Sequence, residues 1–266
     1  MFACPLTRRP LRGWRSPRGL TFPMWDGIPI LVPDPPALLE AASSGAPPSD
    51  LLSPFLPPSM LGVTGSLGDW LASVPRTPSS LLASWGIQHA PPGPTLDAGC
   101  GLGEMALRMA SLGRPTWAID QDPHILVCAR DLLLGRIREA PWSGEPSPHP
   151  VPILPLRPGQ VQLAIADIRT PPFQDGCFAW VHLGEVPLRA GVLAAASALL
   201  VDGGVMTLAT SHRDDPGRPV DWLQGQLKSL GLSVIIAEPQ VPWVRRQDRR
   251  QLRVDLLQCV AVRRER

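Results

Sequence analysis

Three glycines at alternate positions, Gly99, Gly101 and Gly103, follow a short apolar run, Thr95-Leu-Asp-Ala, in which the acid Asp97 stands two residues before the first of them. Glycine carries no Cβ, so this stretch can turn tightly and let a ligand lie against bare main chain between a strand and a helix. The spacing is G-x-G-x-G, whereas a dinucleotide fingerprint is G-x-G-x-x-G with its acid about 20 residues further on. A carboxylate at Asp97 repels a pyrophosphate and attracts a ligand that carries an ammonium group. A second acid, Asp120, lies 17 residues beyond Gly103 at the tip of a second apolar run, followed by Gln121, Asp122 and Pro123. A carboxylate so placed can accept hydrogen bonds bidentately from both hydroxyls of a ribose.

The elements that must hold these groups alternate in type. Residues 95–98 end a strand, and 104–112 read as a helix with Met105, Leu107, Met109 and Leu112 facing inward and Gly113 as its stop. A strand over 115–120 follows, then a helix over 123–138 with proline in its first turn, as helix starts prefer. The Pro-rich stretch 140–159 reads as an insertion or long loop. After it come strands over 160–168 and 177–183, a helix over 187–200 ending at Gly203-Gly204, a strand over 205–210, a helix over 219–230, and strands over 232–237 and 252–262. Strands alternating with helices, and closing on two strands with no helix between them, predict an α/β open, mostly parallel sheet with one antiparallel strand. Upstream, 36–42, 49–56, 66–73 and 78–85 each have the length of a two-turn helix, with Ser49, Ser66 and Ser79 as N-caps. Helices this short are marginal alone and must pack on something.

Composition narrows the classes. A chain of 266 residues holds one main domain with a small appendage. The net charge of +2 does not by itself imply a polyanion partner. There is no Tyr and no Asn, and one Lys, Lys228, stands against 24 Arg, which reads as the codon bias of a GC-rich genome. Five cysteines without paired spacing point to a reducing, cytoplasmic setting. No apolar run has the length of a membrane span or of a secretory signal.

From Leu96 to Leu112 the chain resembles the first motif of class I S-adenosylmethionine-dependent methyltransferases, and the likeness extends over residues 95–237. It implies a Rossmann-like, seven-stranded fold with S-adenosyl-L-methionine as cofactor. On that resemblance Asp97 and the loop Gly99, Cys100, Gly101 and Gly103 hold the amino-acid end, and Asp120 with Gln121 takes the ribose. Asp167 accepts a bond from the adenine amine, and Ile168 packs on the ring. Cys100 reads as a small residue tolerated in the loop, not a nucleophile. The catalytic part says less: methyl transfer is an in-line displacement from an already activated sulfonium, so positioning can suffice. His182 and Glu185 are candidates for contacting substrate or acting as base, and His182 reads equally well as a satisfied strand histidine. Arg245, Arg246, Arg249 and Arg250 beside Trp243 form a basic loop suited to a polyanion, or a solvated loop in an Arg-rich chain.

Residues 1–35 carry Cys4-Pro5-Leu6-Thr7, then Arg15 to Gly19, then Phe22-Pro23-Met24-Trp25-Asp26-Gly27-Ile28-Pro29. This resembles the zinc-ribbon module of the tRNA-methyltransferase activator family, with Thr7, Arg15 and Arg18 in place of three of its four thiolates. Structural zinc needs four N, S or O ligands, so a metal-free β module held by Trp14, Phe22, Trp25, Ile28, Ile30 and Leu31 is expected. The division is then 1–35 degenerate module, 36–90 linker and short helices, and 91–266 cofactor-binding domain. The function implied is methyl transfer to an unidentified acceptor, by default a small molecule. RNA is the alternative, and a non-catalytic interaction protein that keeps the cofactor as a structural ligand is a third. The N-terminal module could serve an RNA or protein partner, and no membrane is involved.

Overall fold

The computed structural model describes residues 2–43, 78–134, 160–184, 186, 188–211, 220–246 and 252–264. Two short strands, β1 (Met24–Trp25) and β2 (Ile28–Pro29), pair antiparallel and lead into α1 (Pro35–Ser43). Next come α2 (Pro78–His89), β3 (Thr95–Ala98), α3 (Glu104–Ser111), β4 (Thr116–Asp120) and α4 (Pro123–Leu133). The chain continues through β5 (Val161–Ile165), β6 (Phe178–Gly184), α5 (Ala190–Leu199), β7 (Leu200–Ser211), α6 (Val220–Ser229), β8 (Leu232–Arg246) and β9 (Leu252–Arg264).

The large sheet has seven strands in the order β5-β4-β3-β6-β7-β9-β8. Neighbours from β5 to β7 are parallel, and β9 runs antiparallel to both β7 and β8, the expected single reversed strand. The order reverses direction between β3 and β6, and at such a point an open α/β sheet forms its crevice. One face carries α2, α3 and α4, through Leu82, Trp85, Met105, Met109 and Leu126. The other carries α5 and α6, through Leu193, Leu199, Leu223 and Leu227.

The connection from β5 to β6 passes over β4 and β3, and residues 166–177 contain no helix. Parallel strands are usually joined through a helix that covers the sheet. Here the N-terminal arm covers it instead. Cys4, Phe22 and Leu31 are buried in one cluster with Leu96, Ile119, Phe173 and Phe178. The Leu31 N–H donates to the Ile165 carbonyl at 2.8 Å, and Ile30 forms an isolated parallel bridge with Ile165. Ile28 and Ile30 also join α1's Leu38 and Leu39 in a cluster with Cys100 and Ala106.

Several sequence expectations shift. β5 ends at Ile165, so Asp167 and Ile168 lie beyond the strand in the connecting segment. Leu112 is exposed, although Met105, Leu107 and Met109 are buried as expected. α2 runs to His89, and Ser79 lies inside it instead of capping it. β7 begins at Leu200 and continues through Gly203-Gly204, which therefore do not end the preceding helix. β8 extends to Arg246 and pairs with β9 up to Arg246↔Leu252, so Trp243, Arg245 and Arg246 belong to a strand, not a loop. Among the described residues β7 reaches Ser211, opposite Leu257, while β8 and β9 go on pairing with each other beyond that point. The expected helices 49–56 and 66–73, with Ser49 and Ser66, the stretch 140–159, Glu185, Arg249 and Arg250 all lie outside the described residues. Among the described residues no helix is long and apolar enough to cross a membrane.

The fit of α2 onto the sheet depends on Gly86. A Cβ there would lie 2.1 Å from the Trp180 ring, whose indole N–H donates to Thr207 Oγ1 at 2.8 Å inside the core. Gly86→Ala must displace a fully buried tryptophan. We expect it to destabilise the fold by about 1–3 kcal/mol in urea titration, despite alanine's better helix propensity.

Candidate functional site

The glycine loop is shaped by backbone conformation and by β4. Gly99, Gly101 and Gly103 have φ of 74°, 51° and 84°, in the left-handed region that glycine enters freely. The Gly99 and Cys100 N–H groups both donate to the Ile119 carbonyl, at 2.8 and 3.0 Å, which folds the loop across the end of the neighbouring strand. A Cβ on Gly99 would meet Val186 Cγ2 at 2.3 Å, and one on Gly103 would meet Leu133 of α4 at 3.2 Å. A Cβ on Gly101 would meet nothing within 4 Å, so the loop is open at its middle residue.

Two carboxylates flank this loop. Asp97, fully buried on β3, accepts from the Ala106 N–H of α3 at 2.8 Å through Oδ2. Burial drives its pKa up from the ordinary 3.8 to about 7; the Ala106 bond opposes this, and the charges of Asp120 and Glu104 add to it. Asp120, the last residue of β4, accepts from Gly101 N–H through Oδ2 and from Asp122 N–H through Oδ1, both at 3.0 Å. Burial also raises its pKa, against the pull of those two N–H groups. Asp122 caps α4, accepting from the His124 and Ile125 N–H groups, with Pro123 at the first helical position. That cap was legible as an Asp-Pro pair before an apolar helix.

The third acid sits apart from secondary structure. The Ala166 N–H donates to the Asp120 carbonyl at 2.8 Å, tying the segment after β5 to the second acid. Asp167 Oδ1 accepts from Arg169 N–H at 2.8 Å and Oδ2 from Arg169 Nε at 2.7 Å, a closed local turn that sequence reading did not identify. Ile168 is buried in the cluster beneath the N-terminal arm, and Gln121 is exposed just past β4. Asp97, Asp120 and the glycine loop thus converge at the ends of β3 and β4, with Asp167 beyond the end of β5.

The remaining candidates divide. Burial pushes the Cys100 thiol well above its usual value, with the charges of Asp97 and Asp120 adding, so the thiol stays protonated. His182 is the registered neighbour of Asp97 on β6, and its Nδ1 lies 3.0 Å from Thr207 Oγ1. Burial lowers its pKa to about 3, which keeps the imidazole neutral through the physiological range. The hydroxyl of Thr207, 25 residues away, had no signal in the sequence as its partner. Arg245 and Arg246 lie on β8, the strand at the far edge of the sheet.

The raised pKa of Asp97 makes stability depend on pH. Between about 4 and 7 the folded protein keeps a proton that the unfolded chain has lost, so stability falls as pH rises through that window and levels off above it. The contribution present at acidic pH is on the order of 4 kcal/mol. Asp97→Asn is expected to remove this slope, as measured by urea unfolding at pH 5 and pH 8.

No protein-family model matches the chain, and no curated protein matches it in sequence. Solved structures do. A Pyrococcus horikoshii protein provisionally named an RNA methyltransferase is similar with a TM-score of 0.52 at 13% identity, over 86% of this chain and 95% of that one. A Bacillus halodurans protein provisionally named a methyltransferase is similar with a TM-score of 0.51 at 16% identity, over 70% of this chain and 100% of that one. With the strand order and the single reversed strand, this likeness fixes the architecture: the chain has the Rossmann-like class I methyltransferase fold.

Proposed function

We infer that the chain binds S-adenosylmethionine and transfers its methyl group to an acceptor. The observation that carries this reading is the left-handed glycine loop set between two carboxylates, the buried Asp97 and the half-buried Asp120, at the ends of adjacent strands. The donor set fits the cofactor. Carboxylates accept from an ammonium and from ribose hydroxyls, and bare main chain at Gly101 leaves room for a ligand against the loop. A pyrophosphate would meet those same carboxylates as like charges.

When bound, the cofactor supplies a methyl group already activated on a sulfonium. The protein's residues then bind and orient. Asp97 and the loop would take the amino-acid end, Asp120 the ribose hydroxyls through lone pairs left beside its two N–H partners, and Asp167 the adenine amine. No general base is assigned. The neutral imidazole of His182 would act by position and not by carrying charge.

A small molecule is the default acceptor. RNA is the second reading, favoured by the exposed side chains of Arg9, Arg12, Arg15 and Arg18 in a stretch whose first acid is Asp26, and by Arg245 and Arg246 in the sequence of the β8–β9 hairpin. The N-terminal turns, where Thr7 and Arg8 N–H groups donate to the Cys4 carbonyl and Gly19 N–H to that of Ser16, support a zinc-ribbon ancestry. One thiolate with Thr7, Arg15 and Arg18 does not make a zinc site.

Calorimetry tests the cofactor. S-adenosylhomocysteine is expected to bind wild-type protein, and Asp120→Ala to weaken binding at least tenfold, because two hydroxyl bonds to a charged acceptor are lost. Affinity for S-adenosylmethionine should rise as pH climbs through about 7, where Asp97 becomes charged and pairs with the ligand's ammonium. Binding at pH 6.5 should release a proton, detected by comparing buffers of different ionisation enthalpy. Absence of binding, or Asp120→Ala binding as wild type does, would overturn the reading. Transfer of a radiolabelled methyl group into extract, fractionated into RNA, protein and small molecules, then identifies the acceptor class.

A further inference from the structure

The segment that carries Asp167 has no helix or strand of its own, yet a group that recognises an adenine edge must be held to within a fraction of an ångström. Inside the segment, the turn at Asp167 to Thr170 and the Asp167–Arg169 pair order only neighbouring residues. From outside, its first residue is held by the bond to Asp120 and its far end by Gly176 and Cys177, whose N–H groups donate to the Ala198 and Leu199 carbonyls at 2.8 and 2.9 Å; the stretch between is held from the start of the chain. The Ala3 N–H donates to the Pro172 carbonyl at 2.7 Å. Phe2 bridges to Phe173 and stacks on its ring, with centroids 5.3 Å apart and an interplanar angle of 22°. The Arg8 guanidinium donates to the Pro171 carbonyl at 2.7 Å and forms an ion pair with Asp175, so that it clamps both ends of the Pro171 to Asp175 stretch.

Arg8 is held for this task. Its φ is 57°, a conformation that side chains other than glycine rarely adopt, and its N–H is fixed to the Cys4 carbonyl at 2.8 Å. Cys4 and Ala3 are fully buried, so the turn that presents Arg8 is anchored in the core and not free to follow the segment. The neighbouring arginines, Arg9, Arg12, Arg15 and Arg18, are exposed, whereas Arg8 turns inward.

We propose that Arg8 is a positioning residue for the adenine subsite: through Pro171 and Asp175 it sets the segment that aims Asp167 at the 6-amino group of the cofactor's base. The inference rests on the cofactor reading above and adds to it a role for the N-terminal arm that no contact with cofactor or acceptor requires.

The test is a cycle between protein and ligand, read by calorimetry on the full chain. The ligands are S-adenosylhomocysteine and its analogue with the 6-amino group replaced by hydrogen. Wild-type protein should prefer the amine by about tenfold or more, as for a hydrogen bond to a charged acceptor. Arg8→Ala should bind S-adenosylhomocysteine about tenfold more weakly and discriminate between the two ligands by less than threefold. A general loss of stability would weaken both ligands alike and leave the ratio intact. Asp175→Ala guards against a folding defect: its side chain is 68% exposed, and its loss removes only the ion pair. It should reduce the discrimination in part. Full discrimination retained in Arg8→Ala overturns the proposal while leaving the cofactor reading in place. Wild-type protein that binds both ligands equally overturns it as well, because Asp167 then does not read the amine. Wild-type protein that binds neither removes both readings.

Discussion

One carbonyl oxygen holds the ligand end of the sheet together. Ile119 accepts from both Gly99 and Cys100, and the next residue, Asp120, accepts from Gly101. Three successive main-chain N–H groups are thereby fastened to the tip of β4. Glycine supplies at no steric cost the left-handed conformations that bring those N–H groups round, which is why the loop contains so little side chain. The same fastening brings Asp97 and Asp120 close enough for each carboxyl to raise the proton affinity of its surroundings. A site built this way is poised for a cation, because a positive group relieves a repulsion that the fold itself has set up.

The rest of the sheet keeps this arrangement rigid by close contact. Val186, just after β6, occupies the space a Gly99 side chain would need, and Leu133 of α4 approaches Gly103. The loop is therefore gripped from β6, β4 and α4 together. His182 and Thr207 extend the polar row of Asp97 across two more strands, and the indole N–H of Trp180 completes it. Buried polar groups so satisfied rigidify a core at little net cost.

Much of this was legible in the sequence, for identifiable reasons. The glycine spacing with Asp97 ahead of it encodes an unusual backbone and a charge, both local properties. The strand-helix alternation after residue 95 reflects burial on periodic faces, also local. The end of β5 was not legible, because Ala166, Asp167 and Ile168 continue its apolar pattern and only the bond from Ala166 to Asp120 turns the chain away. The reach of β8 into the basic stretch was hidden by Pro239 and Pro242, which argue against a strand when read alone but are tolerated in one that lies at a sheet edge. The inward face of Leu112 failed because α3 ends one residue before it. The role of the arm had no periodic signal at all: its buried residues are isolated apolar positions among prolines and arginines, and their partners are distant.

That distance has a consequence for how the protein comes to exist. Arg8 meets the Pro171 carbonyl at a sequence separation of 163, and Leu31 meets Ile165 across most of the same span. Contacts so far apart must close a long loop before they return any stabilisation, which slows folding. During synthesis from the N-terminal end, the arm emerges well before the face it covers, and Phe2 has no ring to stack on until Phe173 is made. The arm is the first part of this chain to be synthesised and the face it covers is finished only after β5, so the nascent protein carries some of its apolar residues without their full set of partners until then.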